Sequence, residues 1–169
     1  MKDLFFIGTL HLGLTNLEEL IGFIKDFDPE LILVEIVNDD IKSNNLVSYP
    51  VEMVYVLKYC NLRNIKVKGF DISIDVLNKD LSNDEVKAIT RRQVDFIKDY
   101  SWIDFNKPSF IEKLNSLSGN LFDKSNWDFR QEKMKSNIKN LSNSKRCVVV
   151  CGASHIPFFK KEFEKAKFL

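Results

Sequence analysis

Three short, unbroken apolar runs constrain most strongly what this chain can fold into. Leu4-Phe5-Phe6-Ile7, Leu31-Ile32-Leu33-Val34 and Cys147-Val148-Val149-Val150-Cys151 show no alternation of apolar and polar residues. A strand with one face in water alternates, whereas one buried on both faces does not, and such strands belong to parallel sheets covered by helices. Helical spacing fills the intervals. Leu17, Leu20, Ile21, Ile24 and Phe27 follow the first run, and Met53, Val54, Leu57 and Cys60 follow Pro50. A weaker strand is expected over Ile65 to Phe70, where Lys66 and Lys68 alternate with apolar residues. Strand and helix repeated in this order imply a parallel sheet with right-handed crossovers.

From Leu81 to Leu141 the strand signal lapses. Ser82 with Glu85 reads as a capping box, as does Thr15 with Glu18 ahead of the first helix. Pro108 starts a second helix of this region that ends near Gly119, and Ser125 precedes a third carrying Trp127, Met134, Ile138 and Leu141. After the strand Arg146–Cys151, Pro157 begins a closing helix through Phe159, Phe163 and Ala166. The expected fold is one α/β domain over residues 1–169. Its mostly parallel central sheet is flanked by helices and carries an α-helical insertion over about 81–142, before the last strand.

Length and composition agree with one domain: 169 residues, 44% apolar, with 14 Phe to fill a core. Lys and Arg number 25 against 24 Asp and Glu, interspersed, so no basic footprint for nucleic acid exists. The apolar runs are too short to span a bilayer. Met1 leads through Lys2 and Asp3 straight into a strand-like run, unlike a secretory leader. Cys60, Cys147 and Cys151 form no C-x-x-C motif, and the last two share one face of a Val-rich strand. A cytoplasmic, reducing setting is expected.

Both histidines of the chain occur in one local pattern, a buried strand running into G-x-x-H: Gly8-Thr9-Leu10-His11 and Gly152-Ala153-Ser154-His155. Each therefore lies just beyond the carboxyl end of a parallel strand, the edge where open α/β sheets bind ligands. Glu35, near the end of the second strand, and Asp71, directly after Phe70, map to the same edge. An acid between Val34 and Ile36 requires compensation to stay ionised. A divalent cation is one source, since two imidazoles with one or two carboxylates and an open position would lower the pKa of a bound water. Arg130 fills the missing turn of the Trp127–Met134–Ile138 stripe and so points inward. Its anion is Glu35, Asp71 or the oxyanion of a substrate. Taken singly, each of these residues has a structural reading: a strand-end acid reaching solvent, a loop Asp, an Arg pairing with Asp128 or Glu132. Thr9 and Ser154 either touch a ligand or serve their turns. Convergence on one edge makes the case for a site.

Gly8-Thr9-Leu10-His11, Leu33-Val34-Glu35-Ile36, Arg130 with Met134 four later, and Gly152-Ala153-Ser154-His155 together resemble the pattern of the TraB/PrgY and TIKI family. The resemblance implies an α/β fold of the broader erythromycin esterase and ChaN-like group. It also implies a site built on His11, Glu35 and His155 with Arg130 beside them, whereas Gly69-Phe70-Asp71 lacks the family's fuller acidic-basic signature. By the same resemblance the expected activity is metal-dependent, peptidase-like hydrolysis of a peptide or small molecule; manganese, cobalt or zinc would be held by His11, Glu35 and His155, with Asp71 added from its place at the same sheet edge. Two other readings use the same cleft: a module that binds a peptide or small ligand without turnover, and a metal-free esterase-like hydrolase with His11 or His155 as base and Glu35 orienting it. The chain lacks the membrane helices that TraB proteins carry.

Overall fold

A computed structural model of the chain describes residues 3–11, 13–119, 121–143 and 145–169. Five strands, β1 (Leu4–Thr9), β2 (Leu31–Val37), β3 (Lys66–Asp71), β4 (Cys147–Gly152) and β5 (Lys167–Phe168), form one sheet among these residues. Every pairing is parallel and the order is β3-β2-β4-β1-β5. Seven α-helices accompany them: α1 (Leu17–Phe27), α2 (Asn38–Ser43), α3 (Val51–Arg63), α4 (Asn83–Ile97), α5 (Pro108–Ser118), α6 (Lys124–Leu141) and α7 (Ile156–Glu162). This is the expected α/β architecture, with α4, α5 and α6 inserted before β4. None of the helices of the described residues is long and apolar enough to cross a membrane.

The period of two along the strands divides the core. Ile7, Ile32, Val34, Ile36, Val148 and Val150 meet α1, α3 and the inserted Trp102–Asn106 turn on one face. Phe6, Leu31, Leu33, Cys147, Val149 and Cys151 meet Met134 and Ile138 of α6 and Phe159 of α7 on the other. Cys147 and Cys151 thus share a face as unpaired, buried side chains. Burial pushes the Cys147 and Cys60 thiols up to about 12, so both behave as small apolar groups.

Local details depart from the sequence reading. Thr15 does not cap α1; its hydroxyl bonds the backbone N–H and C=O of Leu10, and Asn16 caps the helix by accepting from the N–H groups of Glu18 and Glu19. The cap of α6 is Asp123, not Ser125. The capping box of Ser82 and Glu85 is present on α4. The closing helix stops at Glu162, and the chain beyond it returns as β5 to pair with Phe5 and Phe6. Lys167 therefore belongs to an edge strand rather than to a solvated helix face. The short helix α2, directly after β2, has no apolar periodicity and was not expected.

Two close approaches position the carboxyl edge. Register slips between Val34 and Val37 opposite β3, and a Cβ at Gly69 would lie 2.2 Å from the Ile36 carbonyl oxygen, so only glycine lets β3 follow this bulge. On the far side, Asn106 donates to the Gly8 carbonyl at 2.9 Å and accepts the Gly8 N–H at 2.7 Å. One side chain thereby closes the edge of β1 where β5 no longer reaches.

Candidate active site

The strand period that builds the core also aims Glu35. It follows Leu31 and Leu33 on the face toward α6, and there it meets Arg130, one turn before Met134 on the buried stripe of that helix. Arg130 Nη2 donates to Glu35 Oε1 at 2.8 Å and to Asp71 Oδ2 at 2.6 Å, and Arg130 Nε donates to Asp71 Oδ1 at 2.9 Å. The guanidinium thus takes Asp71 in a two-pronged grip and ties the ends of β2 and β3 to α6. Nη1 takes no part in these bonds.

Glu35 is 6% exposed and fully engaged. Its Oε1 also faces His155 Nε2 at 3.3 Å, and its Oε2 accepts the Gly152 N–H at 2.6 Å. Desolvation alone would raise its pKa; the charges of His155, His11 and Arg130, with the His155 hydrogen bond, overcome that and hold it well below the usual glutamate value. His155 lies buried under Trp127, ring centroids 4.7 Å apart, with Nδ1 at 3.4 Å from Gln131 Oε1. Trp127 stacks in turn on Phe122 at 4.6 Å.

His11 differs from its counterpart. Its side chain is 40% exposed, and its Nδ1 lies 2.7 Å from Oε1 of Glu52, a residue of the first turn of α3 with no exposed surface. Glu52 Oε1 also accepts from Thr9 Oγ1 at 3.3 Å, while Oε2 has no hydrogen-bond partner among the described residues. Within them the carboxylate is hydrogen-bonded only through the oxygen that faces His11 and Thr9. Ionised Glu52 can only accept, which places the proton of neutral His11 on Nδ1 and leaves Nε2 with a free lone pair. Nε2 lies over Gly152, 2.6 Å from where a Cβ would stand, so a glycine here makes room for the imidazole. Burial of the ring works to lower its pKa, but the Glu52 hydrogen bond and the charges of Glu35 and Glu52 outweigh that and the opposing Arg130, and raise it.

His11, Glu35, Asp71, Arg130 and His155, all five residues singled out from the sequence, line one cavity of about 260 Å³ together with Tyr49 and Trp127. Thr9 faces Glu52, and Ser154 lines the same cavity. Glu52 and Gln131 are the site residues that sequence reasoning missed. Glu52 precedes Val56 and Cys60 at intervals of four on the buried stripe of α3, the same kind of signal that marks Arg130.

A divalent ion, which the family resemblance implies, fits this donor set poorly. Both oxygens of Glu35 and both of Asp71 are committed to Arg130, His155 or backbone N–H, and His11 Nδ1 is committed to Glu52. An ion between the carboxylates would also face the guanidinium at contact distance. Among the described residues no three His, Cys, Asp or Glu side chains are arranged to hold an ion. The compensation that Glu35 requires comes from Arg130, His155 and Gly152. No protein-family model, characterised protein or solved structure matches the chain.

Proposed function

We propose that the protein is a metal-free hydrolase of carboxylic esters in which His11 is the general base. The observation that carries this reading is the 2.7 Å contact between His11 Nδ1 and the fully buried Glu52, on a half-exposed histidine whose side chain lines a charged cavity. In this scheme Nε2 takes a proton from a water molecule as its oxygen forms a bond to the substrate carbonyl carbon. Negative charge gathering on the carbonyl oxygen falls to Arg130 Nη1, the part of the guanidinium that the carboxylates leave unused. The C–O bond to the leaving group then breaks, and the His11 imidazolium returns its proton to the departing alkoxide. Glu35 and Asp71 fix Arg130, and Trp127 and Gln131 fix His155. An ester is favoured over a peptide bond because an alkoxide leaves more readily than an amine from a site with one acid–base group. Three buried, unpaired cysteines suit a reducing, cytosolic setting, which is part of the proposal.

Turnover of a p-nitrophenyl ester panel by protein held in a chelator tests the scheme. The expected result is hydrolysis that survives chelation and falls about 10²- to 10⁴-fold in His11→Ala. Activity that vanishes on chelation and returns with manganese, cobalt or zinc would overturn it in favour of the metal-dependent peptidase-like reaction. Ligands that protect the protein thermally yet are recovered intact would point to a binding module instead.

A further inference from the structure

A second cavity, of about 270 Å³, adjoins the charged one and shares His11, Phe122 and Ser154 with it. Its far walls come from the inserted helices: Thr90, Gln93 and Ile97 of α4 and Leu114, Asn115 and Ser118 of α5. The two cavities have opposite character. Glu35, Asp71, Arg130 and His155 line the first, whereas among the described residues His11 is the sole titratable side chain lining the second. The polar groups of the second are partly spent on each other, since Gln93 Nε2 donates to Ser118 Oγ at 2.8 Å and Ser118 Oγ donates to the Leu114 carbonyl. An apolar guest there strips few unsatisfied groups of water, while a charged one finds no counterion. Neither cavity alone reaches the roughly 300 Å³ at which small-molecule sites begin; joined at His11 they do.

We infer that the cavity between β1, β4 and the inserted helices α4 and α5 is the specificity pocket of this site, taking an uncharged aliphatic arm whose carbonyl lies at His11. The orientation of that arm rests on the hydrolase reading; its binding does not. The pocket's volume of about 270 Å³ has room for a medium-chain acyl arm. The helical insertion is then the element that selects substrate, and the sheet edge is the element that performs the reaction.

Binding and turnover test the two separately. The binding probes are hexanamide, adipamic acid and 6-aminohexanamide, which share a six-carbon chain and end in a methyl, a carboxylate or an ammonium group. Titration calorimetry is expected to show hexanamide binding at least about tenfold more tightly than either charged probe, the loss expected when a charge enters a pocket without a partner. Asn115→Trp and Thr90→Trp, both at exposed rim positions that tolerate a large side chain, are each expected to weaken hexanamide at least about tenfold. Equal or tighter binding of a charged probe, no binding of hexanamide, or unchanged binding in both tryptophan variants would overturn the inference. For turnover, wild-type preference for p-nitrophenyl hexanoate over acetate is expected to exceed about tenfold, since each methylene buried is worth roughly fourfold. That preference is expected to collapse toward unity in the variants. Hexanamide binding with no ester hydrolysed would sink the hydrolase reading and keep the pocket; equal turnover of acetate and hexanoate without hexanamide binding would do the reverse.

Discussion

Glu52 acts on the reaction through another side chain, and that makes it a positioning residue with its own signature. Its hydrogen bond to His11 Nδ1 selects the tautomer with a free Nε2 and is the largest influence raising the imidazole pKa. In Glu52→Gln the amide offers either an oxygen or an N–H to Nδ1. The N–H would draw the lone pair to Nδ1 and leave Nε2 protonated, the wrong form for a base. We predict that kcat falls about 10²- to 10⁴-fold with KM changed little. We also predict that the acid limb of the pH profile, which lies above the ordinary histidine value of 6.5 in the wild type, moves to lower pH. The chain has two histidines, so proton NMR titration can follow His11 directly. An unmoved His11 titration in the variant would end this account of Glu52.

At the scale of elements, α6 is held to the sheet by Arg130, which bridges two strands, and by Asn137, whose side chain donates to the Phe70 carbonyl at 2.9 Å. Arg130 binds Glu35 of β2 and Asp71 of β3, while Met134 and Ile138 below it make apolar contact. Arg130→Met would leave two shielded carboxylates facing each other, and we predict a loss of about 3–5 kcal/mol in urea unfolding. Adding Asp71→Leu should recover part of it by removing one unpaired charge, whereas Glu35 must stay because it also accepts the Gly152 N–H and faces His155. A loss under about 1 kcal/mol for Arg130→Met would mean that apolar packing and the Asn137 hydrogen bond to Phe70 dock the helix without the ion pairs. Arg130 is legible in the sequence because a charged residue stands where an apolar stripe needs a member. Glu52 gives the same signal on α3, but an acid in a first helical turn has an ordinary explanation in the helix dipole, which conceals it. The buried strands β1, β2 and β4 announce themselves by unbroken apolar runs. By contrast β5 is two residues long and half charged, and α2 has Ile41 as its single apolar residue, so only tertiary pairing and the turn after β2 bring them into being. The Thr15 cap misleads because Thr15 and Asn16 are both good N-caps, and the Leu10 backbone claims the first.

For the whole molecule, the site pulls stability and activity toward different pH. Glu35 is held below its ordinary value of 4.5 in the fold, so the folded state gains from its ionisation at any pH above that value and loses the gain as pH falls through the acid range. His11 is raised above 6.5, so the folded state gains from its protonation below that value and loses the gain as pH climbs through the raised pKa. The exposed carboxylates Asp39, Glu85 and Asp104 are also lowered, and add to the acid limb with little weight because water screens them. The two buried-site contributions are therefore both present between about pH 4.5 and 6.5, and thermal stability is predicted to peak in that window. Catalysis needs His11 without its proton, so kcat/KM is predicted to rise on the alkaline side of the same window, where the His11 contribution to stability is being lost. Melting temperature and kcat/KM measured across one pH series should thus have separate maxima, stability at the lower pH. His11→Ala should flatten the alkaline decline in melting temperature and only weaken the acid decline, because His155 and Arg130 still hold Glu35 down when the His11 charge is gone. Coincident maxima, or an alkaline decline untouched in His11→Ala, would mean that the imidazole held by Glu52 is not the group that links folding to the reaction.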